Sequence, residues 1–566
     1  VNDLLASQPA TLPAFIAHAA TAHPDRGITI LNGRGRNPDR RTYAQLHDLA
    51  TTNAARFATL GISRQDPVLV ALPTSWDWLE AWFGVLLAGG WPVAMAGAGA
   101  MGAAEAQLDK MDQVVDRIGA RRVVATPGLV ESGRTAGARW VEMAMTPDEL
   151  RAITPGREAP PPQCEPDDVA FLQLTSGSTG LPRAVMITHR GAIHNNLASA
   201  EAIGEPHGGP AYTWADSMVA WLPLYHDMGL IGCLMLPIMT GIDTVLMRPT
   251  TFLARPGLWL EQHGRNGVTY GPAPNFGYQL CVERIRPERL AGLDLSTWRS
   301  AQTGAEMVRP ETARAFCEAF EPFGFEPRRF QPCYGLAEGT LAVTFDLRGE
   351  GVRTIPAPAT ADIGFGLSEL VSNGVPIRDT SVRIVAPDGT ELGEDDIGEV
   401  CIKGPGVFAG YYRDPEATAE SLRDGWFSTG DLGLLHGGEL YLTGRIKDLL
   451  IVRGVNLMPD ELERIADSVT GGGGLMRSAA FSVARGAAGE EPVLVVEVAD
   501  RDPDRLPALE DEIKVRIGRA LSLPLADVAF VRRGRIPRTT SGKMQRQEVR
   551  RRYLEGTLER IEPDAD

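Results

Sequence analysis

No two of the six cysteines, Cys164, Cys233, Cys281, Cys317, Cys333 and Cys401, form a Cys-x-x-Cys pair. Their scatter excludes a zinc ribbon and a disulfide framework, and reads as reduced, buried thiols in a cytoplasmic protein. There is no basic excess either. A formal net charge of -16 excludes the broad cationic face of a general nucleic-acid binder, so no nucleic-acid partner is expected. The chain starts with no basic stretch leading into an apolar core, so no signal peptide is expected. Long apolar runs are equally scarce. Residues 81–104 carry no charge, but Gly89-Gly90 and Pro92 interrupt them. A helix over 76–88 followed by a buried strand over 91–96 accounts for the segment better than a transmembrane span does.

What remains is an ordinary soluble composition, with 43% hydrophobic and 23% charged residues in 566, too long for one core. Helical and strand patterns alternate through the first 450 residues, as an α/β architecture requires. Pro/Gly-rich stretches at 154–166 and 356–366 mark loops or joins. After Arg445-Ile446-Lys447-Asp448 come an apolar strand at 449–452 and about 120 residues with their own signals, including a strand at 492–498 and an amphipathic helix at 506–521. The expected division is a large domain over 1–446 and a small one over 447–566. One motif misleads. Residues 97–102 match Gly-x-Gly-x-x-Gly between strand and helix patterns, yet the next strand, at 121–126, ends in Ala125-Thr126-Pro127 and supplies no ribose-binding carboxylate.

Four segments can do chemistry on a nucleotide. Thr175-Ser176-Gly177-Ser178-Thr179-Gly180 lies between apolar runs at 169–174 and 184–187, which predicts strand, tight loop, strand. Glycines allow close backbone approach and the hydroxyls add donors, a combination suited to polyphosphate. No Gly-Lys-Ser/Thr closes the loop, so it is no Walker motif. Tyr334-Gly335-Leu336-Ala337-Glu338 offers an aromatic face for a base and a carboxylate for Mg²⁺. Ser428-Thr429-Gly430-Asp431 places an acid after a glycine turn, where it can accept from ribose hydroxyls or simply make an Asx turn. In 537–543, Lys543 stands on a Gly/Ser loop and can neutralise charge developing at a phosphoryl centre.

These segments, together with Gly444-Arg445-Ile446-Lys447-Asp448, occur in the order of the adenylate-forming superfamily of acyl-CoA synthetases, peptide-synthetase adenylation domains and luciferases, and the resemblance covers nearly the whole chain. Within it the chain most resembles the fatty acyl-AMP ligases, at 221–232, 273–281 and 293–299. The match is imperfect in the phosphate loop. Gly180 and Pro182-Arg183-Ala184 stand where acyl-AMP ligases often replace the glycine and the superfamily commonly has Pro-Lys-Gly. Tyr225-His226 replaces the Phe-Asp that amino-acid-activating domains use.

The resemblance implies parallel-rich sheets in the large domain and a small, mobile α+β domain. It also implies ATP-dependent activation of a fatty or related acid to acyl-AMP with release of pyrophosphate. Transfer to a phosphopantetheine thiol follows, on an acyl carrier protein or polyketide synthase. In this scheme Ser176 to Thr179 hold phosphates and Glu338 holds Mg²⁺. Gly304, Ala305, Glu306, Tyr334 and Gly335 frame the adenine, and Asp431 and Arg445 bind ribose. Lys543 bridges carboxylate and α-phosphate, Lys447 is the hinge and His226 an aromatic gate. Ala273, Asn275 and Phe276 wall the acyl pocket. CoA is the alternative acceptor, and the segment 346–371 is the candidate for an insertion linked in the family to poor CoA use. A non-catalytic adenylate-binding protein is a more distant alternative. The run 532–552, with nine Lys or Arg against the single acid Glu548, is either a solvated helix or a surface for an acidic carrier protein. Lys543→Ala is expected to abolish pyrophosphate release while the circular dichroism spectrum stays native; an active variant would exclude the role.

Overall fold

The computed structural model describes all residues except 1–8, 33–36, 98–103, 157–161, 176–181, 205–214, 348, 359–362, 365–368, 453–454, 471–477, 485–489, 499–504, 522, 539–543 and 562–566. A six-stranded sheet is ordered Ala144–Met145, Arg122–Ala125, Pro67–Ala71, Trp91–Ala94, Val169–Thr175, Arg183–Thr188. Only its last pair is antiparallel. Side chains alternate between two cores. Val68 and Val70 join the main core, while Leu69 and Ala71 face a second core with Val114, Ile118 and Trp140. Burial on both faces is what a near-continuous apolar strand signals. The strand pair flanking 176–181 therefore forms as its sequence predicts.

A second layer begins with the order Asn37–Thr42, Gly27–Asn32, Asp243–Met247, Ser217–Ala220, parallel after its first pair. Single parallel bridges from Met218 to Tyr270 and from Tyr270 to Ser300 carry it on to Ala301–Thr303, Phe330–Gly335 and Ala342–Phe345. An antiparallel sheet of Ser381–Val385, Gly398–Lys403, Trp426–His436 and Glu439–Arg445 completes the first 445 residues.

Beyond the short turn Ile446–Asp448, the chain packs on cores of its own. A three-stranded sheet of Ser478–Ala484, Glu490–Val498 and Asp527–Arg532 turns Leu494 and Val496 to one core and Val493 and Val495 to the other. The helices Pro459–Val469 and Leu506–Leu521 cover the first face, and Arg546–Leu554 covers the second. Residues 81–104 divide into the helix Trp76–Leu87, capped by the Ser75 hydroxyl, and the strand Trp91–Ala94. Among the described residues no helix is long and apolar enough to cross a membrane. Most of the Gly-x-Gly-x-x-Gly match lies outside the described residues. The strand after it ends at Ala125, and the Thr126 hydroxyl caps the next helix.

Buried histidines give the fold a pH dependence, two of them strongly. Burial lowers His189 to about 4, with Asp168 opposing, and His263 to about 3, with the Val268 carbonyl opposing. His189 Nδ1 accepts the Leu12 N–H at 3.2 Å, a structural bond between helices distant in the chain. An unfolded histidine takes up its proton near 6.5. Between that value and the folded value of about 4 for His189, the unfolded chain therefore binds more protons, and stability is lost as pH falls through the window. The melting temperature is expected to be lower at pH 5 than at pH 7. His189→Gln, which keeps an acceptor but cannot charge, should narrow that difference; a difference as wide as in the wild type would exclude His189 as a source.

Candidate active site

A cavity of about 2110 Å³ opens where the three sheets and the C-terminal unit meet. On one side it is lined by Thr175, Pro182 and Arg183, the residues flanking the Ser/Thr/Gly loop. Ser176, Gly177, Ser178, Thr179 and Gly180 lie outside the described residues, as does Lys543. The neighbours of the Lys543 segment, Arg538 and Met544, bridge one another and line the same cavity. Gly304, Ala305, Glu306, Tyr334, Gly335, Glu338, Asp431, Arg445 and Lys447 line it too. Segments far apart in the chain are thus brought to one space.

Asp431 is held by local strand geometry. A bulge shifts the register between Glu399 and Cys401, and Gly430 takes φ +74°, a left-handed conformation suited to glycine. The Thr429 hydroxyl accepts from the Asp431 N–H at 3.1 Å. Asp431 then lies directly opposite Arg445 on the antiparallel neighbour, and Arg445 Nε reaches Asp431 Oδ1 at 2.7 Å. From the other sheet the Tyr334 hydroxyl donates to Asp431 Oδ2 at 2.7 Å. The nearby Asp431 charge raises the guanidinium of Arg445, while burial, with Asp431 adding to it, pushes the Tyr334 phenol well above its ordinary value. Both carboxylate oxygens are engaged, yet a carboxylate offers about four acceptor positions and keeps capacity for ribose hydroxyls.

Glu338 sits in the turn Ala337–Gly339 that ends the Tyr334 strand. The Tyr411 hydroxyl donates to its Oε1 at 2.8 Å, and the Arg183 guanidinium stacks 4.9 Å from the Tyr411 ring centroid. Burial raises the Glu338 carboxyl, the Tyr411 bond opposes it, and the Asp227 charge adds to the rise. Asp227 also lines the cavity. One or two carboxylates facing bound phosphates fit a hydrated Mg²⁺, which needs no protein cage. Among the described residues no cluster of three or more ligand-type side chains exists.

His226 lines the cavity, with Nδ1 2.6 Å from the Asp227 carboxylate at the start of a π-helical turn, Met228–Met235. Ala305 has φ +67°, a strained conformation for a residue with a Cβ, beside Gly304, where a Cβ would meet the Cys333 carbonyl at 2.9 Å. A Cβ on Gly335 would overlap the Leu341 carbonyl, so glycine is needed there for packing. Glu306 is tied to the start of the helix Asn275–Arg284, accepting the Phe276 N–H at 2.7 Å. Phe276 faces the cavity and packs edge-on against Trp221. Asn275 reaches the cavity wall while binding Thr312 and the Arg309 N–H. Ala273 does not line the cavity: fully buried, it bridges Thr303 within the sheet.

The sequence reading did not anticipate Tyr411 or the buried ion cluster beside the Lys447 turn. There Arg546 meets Glu463 at 2.7 Å, Asp448 at 3.1 Å and Asp460 at 3.3 Å. Its only sequence signal is an arginine just after the lysine loop.

The fold and this cavity define an adenylate-forming enzyme. Residues 16–412 match the AMP-binding enzyme family. A provisionally named acyl-CoA synthetase of Caulobacter vibrioides is 32% identical, over 97% of this chain and 96% of its own. The medium-chain-fatty-acid–[acyl-carrier-protein] ligase JamA of Moorena producens is 36% identical, over 71% of this chain and 70% of its own. A structure from a study of fatty acyl-adenylate ligases of E. coli and L. pneumophila superposes with a TM-score of 0.87 at 32% identity, covering 97% of this chain and 98% of that one. The chain belongs to the AMP-binding, adenylate-forming family, whose nucleotide is ATP. It is a fatty acyl-AMP ligase-like enzyme that adenylates fatty or related carboxylic acids.

Removing the Asp431 charge tests the frame of the site. Asp431→Asn is expected to cost about 1.5–3 kcal/mol, the scale of one charged hydrogen bond, read as a lower urea midpoint. In that background Arg445→Met should cost less than it does alone. Additive losses would show that the two residues do not act as a pair.

Proposed function

We propose that the chain is a fatty acyl-AMP ligase that passes its acyl group to the phosphopantetheine thiol of a carrier protein or polyketide synthase. The acid's carboxylate attacks the α-phosphate of ATP, forming acyl-AMP, and pyrophosphate leaves; the thiol then attacks the acyl carbonyl and AMP leaves. Positioning and charge compensation are what such chemistry asks of a protein.

Roles divide accordingly. Tyr334, Gly304 and Ala305 frame the adenine, while Asp431 and Arg445 take the ribose. Ser176 to Thr179 hold the β- and γ-phosphates, with Arg183 adding positive charge beside them. Glu338, oriented by Tyr411 and close to Asp227, would hold Mg²⁺, which supplies charge neutralisation at the phosphates. Lys543 bridges the carboxylate and the α-phosphate. His226, oriented by Asp227, gates the acyl channel bounded by Phe276. The unit over 447–566 turns about Lys447 between the two half-reactions, the kind of hinge movement that exchanges catalytic groups.

One observation carries the choice of acceptor. Within the candidate insertion 346–371, the short strand Ile363–Gly364 pairs in parallel with Val455–Leu457 of the C-terminal unit. The root of the insertion is pinned by Arg353, which binds Asp346 and Glu439 at 2.7 Å each. This pairing joins the insertion to the moving unit and favours a reading in which its travel to a CoA-accepting position is hindered. JamA, whose name specifies a carrier-protein acceptor, supports the same choice.

The test supplies ATP, an acid panel and, in parallel, CoA or a holo carrier protein. Pyrophosphate release is expected with ATP and acid alone. Thioester should form at least about tenfold faster on the carrier protein, a difference of about 1.4 kcal/mol in barrier. Equal or faster thioester formation on CoA would establish an acyl-CoA synthetase instead.

A further inference from the structure

The inner wall of the cavity is mostly apolar, with Ile203, Met218, Cys233 and Leu236 among its lining residues. Polar side chains interrupt it, among them Gln173, whose Nε2 is bonded to the Tyr225 carbonyl, and two that make no bond at all among the described residues. Gln302 is the middle residue of the strand Ala301–Thr303, two positions before Gly304, and only 3% of it is exposed. Ser199 projects from the helix His189–Gly204 and is 1% exposed. Neither the amide oxygen nor the amide nitrogen of Gln302 has a hydrogen-bond partner among the described residues, and neither does Ser199 Oγ.

The fold can satisfy an amide here. Gln331, paired in register with Gln302 on the neighbouring strand, is also 3% exposed. Its Nε2 donates to the Asp346 and Ala202 carbonyls at 2.8 and 3.3 Å, and its Oε1 accepts from Ser300. Adjacent glutamines on one sheet thus differ completely: one is fully bonded, and the other faces the substrate cavity with nothing. The Ser199 hydroxyl is similarly unusual, since a serine inside a helix usually bonds back to its own turn. Buried polar groups left unpaired are rare and destabilising. A leucine at 302 and an alanine at 199 would avoid the cost if the cavity took only hydrocarbon.

We propose that Gln302 and Ser199 are specificity-determining residues that bind a hydroxyl group carried on the chain of the substrate acid. A hydroxyl donates once and accepts twice, so it can pair with the amide oxygen and amide nitrogen of Gln302 together, and the bond from Gln331 to the Ala202 carbonyl places Ser199's helix beside this strand pair. The substrate class is therefore a hydroxylated carboxylic acid, and an unsubstituted alkanoic acid would leave both side chains unpaired. A site built to bond a substrate hydroxyl discriminates far more sharply against the analogue lacking it than an apolar pocket discriminates by size. The inference rests on the adenylating reading of the cavity and narrows it.

The experiment measures pyrophosphate release with ATP for alkanoic acids of increasing length, each beside aliphatic and phenolic hydroxy acids of matched size. In the wild type at least one hydroxy acid should exceed its unsubstituted partner by about 1,000-fold or more in kcat/KM, beyond the roughly 200-fold that size selection by an apolar pocket reaches. Gln302→Leu should cut that ratio at least about tenfold, and Ser199→Ala should move it the same way. The ratio compares two substrates on one preparation, so partial loss of folded enzyme does not alter it. If Gln302→Leu fails to fold, the Ser199→Ala ratio decides. Hydroxy acids within threefold of their partners throughout, or ratios untouched by the substitutions, would overturn the proposal while leaving adenylation intact. Release with no acid of either kind would overturn the adenylating reading, and this proposal with it.

Discussion

One carboxylate joins the parts of this site. Asp431 binds Tyr334 from the sheet that carries Glu338 and Arg445 from its own hairpin partner, so it fixes one sheet against another. Arg445 immediately precedes the turn Ile446–Asp448, through which the chain passes into its last unit. The surfaces proposed for adenine and ribose and the hinge are therefore placed by a single cross-strand pair and one phenol. Because Asp431 is only 5% exposed, those donors replace water around its carboxylate, and their geometry is correspondingly constrained.

Local and periodic features of the site were legible in the sequence. The apolar runs around 176–181 pair as an antiparallel hairpin over Thr175 and Arg183, whereas the glycine turn expected before Asp431 is a bulge within the strand Trp426–His436. The amphipathic stretch at 506–521 is a helix with the same bounds. What escaped was set by partners distant in the chain. Tyr411 acquires its place from Glu338, 73 residues earlier, and nothing in Gly410-Tyr411-Tyr412 announces that bond. Ala273 was misplaced for a related reason: an alanine next to a cavity-lining helix can face either way, and the bridge to Thr303 turns it into the sheet. Gln302 carries no signal in the sequence, because an isolated glutamine in an apolar strand belongs to no pattern and only its amide in the fold, unpartnered among the described residues, sets it apart.

The basic run at 532–552 shows how little a charge count says about available charge. Arg551 is tied to Glu548 and Glu555, Arg552 to Glu548, and Arg550 to the Ser482 carbonyl. These arginines fasten the helix Arg546–Leu554 to itself and to the sheet beneath, which makes the earlier choice between solvated helix and docking surface too simple. Glu548 answers with a carboxyl held down to about 2 by the arginines beside it. A carrier protein meeting this face would find arginines whose geometry is already set by neighbours, so recognition there would depend on a fixed arrangement rather than on loose positive charge.

Asp460 bears on the rotation proposed between the half-reactions. It meets Arg546 of its own unit at 3.3 Å and Arg309 of the larger unit at 3.6 Å. An ion pair spanning a hinge ordinarily resists opening, because separation leaves a desolvated charge without its partner. Here the carboxylate keeps Arg546 when Arg309 departs, and Arg546 in turn is anchored by Glu463 and Asp448. Arg309 stays at the cavity rim, 20% exposed and within reach of water. The contact can thus orient the C-terminal unit without making its release costly, as a reversible domain rotation requires.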